Sequence, residues 1–244
     1  MGRIVALTVL VTGANGYIGR YVVRELLDHR YDVTAVDLPS WDARSSPIPR
    51  CDVAIHLAAL LAGTDGQLWE TNVLGTRRLA AAVPRLILAS SAAVYGAREW
   101  ASEEDPLAPC GPYAWSKACA EDARFLSLRL FNVYGGQGSR GVVQRLRDGA
   151  QVNGDGAQTR DFVHVQDVAR AFRLAVESDA CGPLNVGTGI ATPIAALAEM
   201  LGLPVVLSGS DPGVLASSAD PRRIKRVLHW EPRVSLARAV LPWV

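Results

Sequence analysis

Tyr113 and Lys117 stand four residues apart in Pro112-Tyr113-Ala114-Trp115-Ser116-Lys117, and the run that follows, Ala118-Cys119-Ala120-Glu121-Asp122-Ala123, has a helical composition. On a helix, positions i and i+4 lie on one face, so a phenol and an ammonium here point into the same space. A free tyrosine, with a pKa of about 10, is no base at neutral pH. A neighbouring cation favours the phenolate, which predicts a lowered pKa for Tyr113. Such a pair can take a proton from a substrate hydroxyl or return it. A bare Tyr-x-x-x-Lys matches often by chance, so its weight rests on the elements around it.

Those elements begin with Leu7-Thr8-Val9-Leu10-Val11-Thr12, a short β-branched apolar run that reads as a buried strand. Gly13-Ala14-Asn15-Gly16-Tyr17-Ile18-Gly19 follows at once, and residues 20–29 then carry Tyr21, Val22, Leu26 and Leu27 at helical spacing. This is strand, glycine turn, helix. Gly13 suits a tight turn, Gly16 admits a pyrophosphate close to the backbone, and Gly19 lets helix and strand pack closely. The helix N-terminus offers free N–H groups to phosphates. A second strand, residues 32–36, ends in Asp37, where an acid binds the adenosine ribose hydroxyls of a dinucleotide. A carboxylate there repels a 2′-phosphate, so NAD(H) is expected over NADP(H).

Residues 38–51 carry Pro39, Ser40, Ser45, Ser46, Pro47 and Pro49 and read as loop. Fourteen such residues are too few for the helix and strand of a full crossover. The predicted sheet is therefore parallel and doubly wound but one strand short, with residues 32–36 at or near its edge. Residues 52–57 form the next strand, and Ala58-Ala59 after it leave room for a ligand at the strand's carboxyl end. Residues 67–83 read as a helix containing Asn72, and 86–89 as a strand leading into Ser90-Ser91-Ala92-Ala93-Val94-Tyr95-Gly96. Further on, helices are expected over 142–149, 165–178, 192–201 and 220–228. A turn is expected over 153–156, a strand over 158–163, and a loop into a strand over 202–207. Residues 140–180 and 190–244 are expected to cap the first portion. The tryptophans and the remaining tyrosines are read as core, and His56 and His164 as packed structural histidines.

With 49% apolar and 20% charged residues in 244, the chain is globular, and its net charge of +1 makes no electrostatic case for nucleic acid. No apolar run reaches the 18 residues of a membrane span. The opening residues read as a buried strand rather than a signal peptide. Cys51, Cys110, Cys119 and Cys181 show no paired spacing and read as free thiols of a reducing compartment, the cytoplasm. The four histidines form no metal pattern, so no metal is expected.

Taken in order, the segments resemble the extended short-chain dehydrogenases/reductases. These are the glycine turn, His56-Leu57-Ala58-Ala59, Asn72-Val73-Leu74-Gly75-Thr76, the Ser90–Gly96 stretch and Tyr113 to Lys117. The match continues through Leu128-Arg129-Leu130-Phe131-Asn132-Val133-Tyr134-Gly135, Arg160-Asp161-Phe162-Val163-His164-Val165 and Asn185-Val186-Gly187-Thr188-Gly189. The chain resembles the NAD-dependent epimerase/dehydratase branch, and within it the UDP-glucose 4-epimerases, over residues 7–240. The resemblance implies a Rossmann-type doubly wound parallel sheet (α/β) with a small C-terminal substrate-binding portion. The division implied is 1–140 for NAD, with later segments returning to it, and 141–244 mainly for substrate. It implies Tyr113 as acid/base, Lys117 on the nicotinamide ribose and depressing the Tyr113 pKa, and Ser91 on the reacting sugar oxygen. Gly13, Gly16, Tyr17, Ile18, Gly19, Asp37, Leu57, Ala58, Ala59, Asn72 and Phe131 would line the NAD cofactor. Asn132 and Arg160 would hold the diphosphate of a nucleotide-sugar substrate, and a guanidinium suits that task. The oligomeric state is left open, a homodimer included.

The chain also departs from that pattern. It lacks a strand and the acidic turn after Asp37, and only ten residues separate Lys117 from Leu128. Leu61 replaces a lysine after the His-Leu-Ala-Ala turn, and a second phosphate-binding arginine is missing near residues 210–213. Three functions stay open. One is epimerisation of a nucleotide sugar through a transient keto intermediate. Another is net reduction or oxidation of a related nucleotide deoxysugar with exchangeable cofactor. The third is cofactor binding without turnover. Ala92 and Ala93 stand where relatives that dehydrate or decarboxylate carry acidic residues.

Overall fold

The computed structural model describes residues 7–139, 141–152, 154–208 and 213–240. The part of the first strand expected before residue 7, Asn153 of the expected turn, and positions 210–212 of the missing arginine lie outside them. The apolar run of strand β1 (Thr8–Thr12) is buried from Val9 onward. Helix α1 (Tyr17–Asp28) starts directly from the glycine turn, three residues earlier than its apolar spacing suggests. Strands β2 (Asp32–Val36) and β3 (Val53–His56) flank β1 on its two sides, both parallel to it. Thr12 is level with Val36 on one side and His56 on the other, so three carboxyl ends open together.

The helix expected over 67–83 begins earlier, at α2 (Asp65–Leu68), where Thr64 and Gln67 form a reciprocal capping box. It widens into a π turn (Trp69–Leu74) holding Asn72 and continues as α3 (Gly75–Ala82). Strand β4 (Leu86–Ser91) outlasts its expected end by two residues, so Ser90 and Ser91 are strand residues at the sheet's rim. After β5 (Arg98–Ala101), helix α4 (Pro112–Ala120) carries the tyrosine and lysine. Strand β6 (Leu126–Leu130) then re-enters the sheet, followed by β7 (Asn132–Tyr134), α5 (Val142–Arg147), β8 (Thr159–His164), α6 (Val165–Val176) and β9 (Gly182–Val186). The remainder comprises β10 (Ala191–Pro193), α7 (Ile194–Met200), β11 (Ser217–Ala219), α8 (Arg222–Leu228) and α9 (Leu236–Val240). No strand forms at 202–207, where an isolated bridge joins Val152 to Leu207.

The main sheet has the order β2-β1-β3-β4-β6-β9 with every pair parallel. It is the doubly wound α/β sheet expected, with β2 at its edge and no strand beyond it among the described residues. One face packs on α1, α6 and α8 through Val9, Val11, Ile55, Ile87, Leu128, Phe172 and Trp230. The other face packs on α3 through Leu10, Ala54, Leu79 and Leu86. From the second half, α6 lies against α1 and β9 forms the far edge, so these segments return to the sheet.

Residues 38–51 contain no helix or strand, as their prolines and serines predict, yet they are anchored. Trp41 is buried and its Nε1 donates to Pro47 O at 2.9 Å. Arg78 of α3 donates to Ser46 O at 2.7 Å and Ala43 O at 3.1 Å. Reading tryptophans as core holds for Trp41 and Trp230 but not for Trp69, Trp100 and Trp115, which are 43–58% exposed. Trp69 and Trp115 lie on helical turns and Trp100 on a short strand, each leaving much of its ring in solvent, with Arg77 over the Trp69 ring at 5.7 Å.

Candidate functional site

The crevice at the strand ends is shaped by backbone that tolerates no side chain. Gly13 has φ 69°, and a Cβ there would stand 2.7 Å from Ala58 N. A Cβ on Gly19 would stand 2.1 Å from Gly13 O, so helix and turn are in direct backbone contact. Helix α1 opens at Gly16 with no side chain capping it, which leaves its first-turn donors for an anion. Asp37 bridges β2 to this turn. One carboxylate oxygen accepts from Asn15 N and the other from Leu38 N, each at 2.8 Å. Each oxygen keeps a further lone pair for a ribose hydroxyl. These features fit a dinucleotide: a glycine-lined turn, an uncapped helix start, and an acid at the next strand's end. Leu57 and Ala58 close the opposite side, with Leu57 N on Thr12 O at 3.1 Å and Ala58 N on Thr12 Oγ1 at 3.3 Å, and Ala59 follows half-buried. Ile18 packs against the main core, and Tyr17 reaches across to Gly135 O at 2.6 Å.

Two consecutive residues at the end of β4 hold the last turn of α4 and the residue after it, and Ser91 follows them. Ala89 O accepts from Lys117 Nζ at 2.8 Å. Ser90 Oγ donates to Glu121 Oε1, just past the helix, at 2.5 Å. Ser91 Oγ accepts from Ala93 N at 3.2 Å and faces the Tyr113 phenol, whose ionisation it favours. Tyr113, Lys117 and Glu121 thus run down one face of α4 at i, i+4 and i+8 against a single strand end.

The charge state of Tyr113 corrects the expectation from spacing. Its pKa is raised, because burial penalises the phenolate and Ser91 opposes this only in part. The Lys117 ammonium is instead turned onto the Ala89 carbonyl. Lys117 is itself buried, and burial brings its pKa down to about 8 against the opposing pull of Glu121. Beneath it His56 is buried, its Nδ1 2.6 Å from Thr12 Oγ1 and its Nε2 without a partner among the described residues. Burial, with Lys117 nearby, pushes His56 down to about 3.

Asn72, expected against the cofactor, is buried and spends its amide on the protein. It exchanges bonds with Leu60 N and O at 2.8 and 2.9 Å and donates to Ser116 Oγ at 2.9 Å. It ties the π turn to the 57–60 loop and to the residue beside Lys117.

Ser91, Phe131, Asn132 and Arg160 surround one cavity of about 230 Å³, so the expected substrate residues converge. Phe131 is buried and stacks on Tyr95. Arg160 donates to Thr159 O at 2.8 Å and has no ion pair among the described residues. Burial lowers its pKa. Its neighbour Asp161 is taken up by Thr188, Gly189 and Ala219, at 2.6–3.1 Å. Among the described residues no cluster of metal-binding side chains occurs, and no helix is long and apolar enough to cross a membrane.

Sequence reading passed over Glu121 and Arg129, which form a buried pair at 2.6 Å. The available signal was the i+4 spacing of Glu121 from Lys117.

Comparison with known proteins agrees with this geometry. Residues 9–187 match the NAD dependent epimerase/dehydratase family model. The UDP-glucose 4-epimerase of Mycolicibacterium smegmatis is 30% identical over 298 aligned positions, covering 95% of each protein. Because that alignment is longer than this 244-residue chain, the relative carries internal stretches absent here. The structure of MoeE5 in complex with UDP-glucuronic acid and NAD is similar at a TM-score of 0.84, with 32% identity and 96% of each chain covered. The UDP-glucose 4-epimerase of Thermus thermophilus, in complex with NAD, is similar at 0.80, with 29% identity and 96% of each chain covered. With its glycine turn, its tyrosine and lysine on one helix face and its parallel sheet, the chain belongs to the NAD dependent epimerase/dehydratase family.

Proposed function

We propose that this protein is an NAD-dependent epimerase of a nucleotide-activated sugar, a UDP-sugar, inverting one carbinol centre through a transient keto intermediate. The observation that carries the reading is that Ser91, which faces the Tyr113 phenol, lines the same cavity as Asn132 and Arg160. A proton-transfer pair and an anion anchor then act on one ligand, as a sugar joined to a diphosphate requires. NAD, when bound, supplies the hydride acceptor and donor. The glycine turn, the α1 N-terminus and Asp37 hold it, and Lys117 serves its ribose.

Tyr113 takes the proton from the sugar hydroxyl and later returns it to the new alcohol. Ser91 holds that oxygen while the carbonyl forms. Lys117, as an ammonium, favours the phenolate once the crevice is filled and offsets the cost of ionising a buried phenol. Arg160 and Asn132 hold the diphosphate while the sugar turns to present its other face. We assign the portion from 141 onward, apart from α6, β9 and α8, to the substrate side. Free thiols at all four cysteines support a cytoplasmic setting. The exposed Trp115 on α4 and Trp69 on the π turn packed against it support self-association.

The test is proton NMR of UDP-glucose or UDP-glucuronic acid incubated with enzyme and catalytic NAD. Growth of the C4 epimer without net NADH is expected. Stoichiometric change of the nicotinamide, with a keto or reduced sugar as product, would overturn epimerisation in favour of oxidoreduction.

A further inference from the structure

Glu121 lies one turn beyond Lys117 and immediately after the last residue of α4. Its carboxylate takes a bidentate grip from Arg129 at 2.6–3.2 Å and a bond from Ser90 at 2.5 Å. Arg129 continues to the Tyr95 hydroxyl at 2.7 Å, which donates to Asn185 Oδ1 at 2.8 Å. Asn185 in turn donates to Ala101 O and, through its N–H, to Glu103. A polar chain therefore runs from the end of the active-site helix across β4, β6 and β9. Almost all of it is buried, where truncating one member leaves another unpaired.

We infer that Glu121 is a positioning residue, holding Lys117 as an ammonium and pinning the end of α4 to the strand that carries Ser91. This rests on reading Tyr113 and Lys117 as the working pair. The groups that face Lys117 are few. Tyr113 lies one turn before it on α4 and Glu121 one turn after it, just past the helix; from β3 comes His56, a neutral ring. From β4 come the Ala89 carbonyl and the Ser90 hydroxyl, neither of which titrates. Arg129 of β6 faces Glu121 rather than Lys117, and Tyr95, on the turn after β4, faces Arg129. Asp65 and Glu70, on the segment packed against α4, are exposed to solvent. Glu121 is thus the negative charge opposing the desolvation of Lys117. It also compensates for the shortness of α4, which ends at Ala120, by fixing its last turn to the sheet.

Lysine occurs only at 117 and 225, and Lys225 is exposed and paired with Glu231. Protein labelled with 13C-lysine therefore gives two ε-methylene signals, and the Lys117 titration can be read directly. In the unaltered protein it is expected near 8. In Glu121→Gln it should move to lower pH, and in Glu121→Asp most of the shift should be recovered. The alkaline limb of kcat should follow the same displacement with KM little changed. Should Glu121→Gln not fold because Arg129 is left unpaired, Glu121→Gln/Arg129→Gln removes both charges, and the Lys117 signal should still move down. An unmoved Lys117 titration in a folded variant lacking the carboxylate overturns the inference. If the unaltered enzyme converts no UDP-sugar, the proposed function fails, while the lysine titration still decides the role of Glu121.

Discussion

Tyr113 needs an ionisable oxygen whose proton can be moved, and the folded protein makes that proton harder to lose. The working base is therefore assembled by occupancy of the crevice and by the Lys117 charge, not by the helix spacing alone. Tyr113→Phe keeps the ring and removes the oxygen. Turnover of a substrate that the unaltered enzyme converts should fall about 10²–10⁴-fold, the usual contribution of an acid/base group. Binding of NAD, measured by titration, should persist, because the glycine turn and Asp37 stand apart from the phenol. Near-normal turnover by the variant would remove Tyr113 from the mechanism.

Strand β4 and helix α4 form the unit that carries the chemistry, and the loop over 38–51 forms the unit that replaces a missing crossover. That loop holds its shape through Trp41, buried and bonded to Pro47 O, and through three carbonyls gathered by Arg78. Trp41→Ala should cost about 3 kcal/mol, at the low end of the range for deleting a large buried aromatic. Urea denaturation checks this. The same variant should weaken NAD binding, since residues 38–51 continue directly from Asp37. A stability change under about 0.5 kcal/mol, as for an ordinary surface site, would show the loop is not anchored by its tryptophan.

For the molecule as a whole, the buried histidine makes stability depend on pH. His56 is neutral in the fold, with a pKa pushed down to about 3, whereas in the unfolded chain it titrates near 6.5. Between those values the unfolded state binds a proton that the folded state refuses. Stability is therefore complete above about 6.5 and declines as pH falls toward 3, by up to about 1.4 kcal/mol per pH unit from this group. His164, also lowered by burial, adds to the decline. Urea midpoints at pH 7 and pH 5 should differ, and less so in His56→Asn; equal differences in both proteins would exonerate His56. Ligand linkage gives a second global readout. NAD at a hundred times its dissociation constant should stabilise the fold by about 2.7 kcal/mol. NADP should raise the melting temperature less at equal concentration, because Asp37 opposes a 2′-phosphate, and Asp37→Ala should narrow the gap. A larger rise with NADP would reverse the cofactor assignment.

The parallel sheet and its shortened edge follow from local pattern. Apolar runs, a glycine turn and a proline-rich stretch too short for a crossover leave few topologies. The convergence of Ser91 with Tyr113 was legible for the same reason, since strand ends and the helices after them meet at the sheet's carboxyl rim. Electrostatic environment was not. Lys117 and Tyr113 are four residues apart in any helix, but where an ammonium points, and how much water each group loses, depends on partners from distant strands. Ala89, Ser90 and Arg129 supply those partners here. Asn72 likewise sits in a recognisable motif, while its amide is spent on Leu60 and Ser116 because the π turn brings them within reach. Residue type and spacing are properties of the chain; desolvation and pairing are properties of the packed interior, and only the tertiary structure sets them.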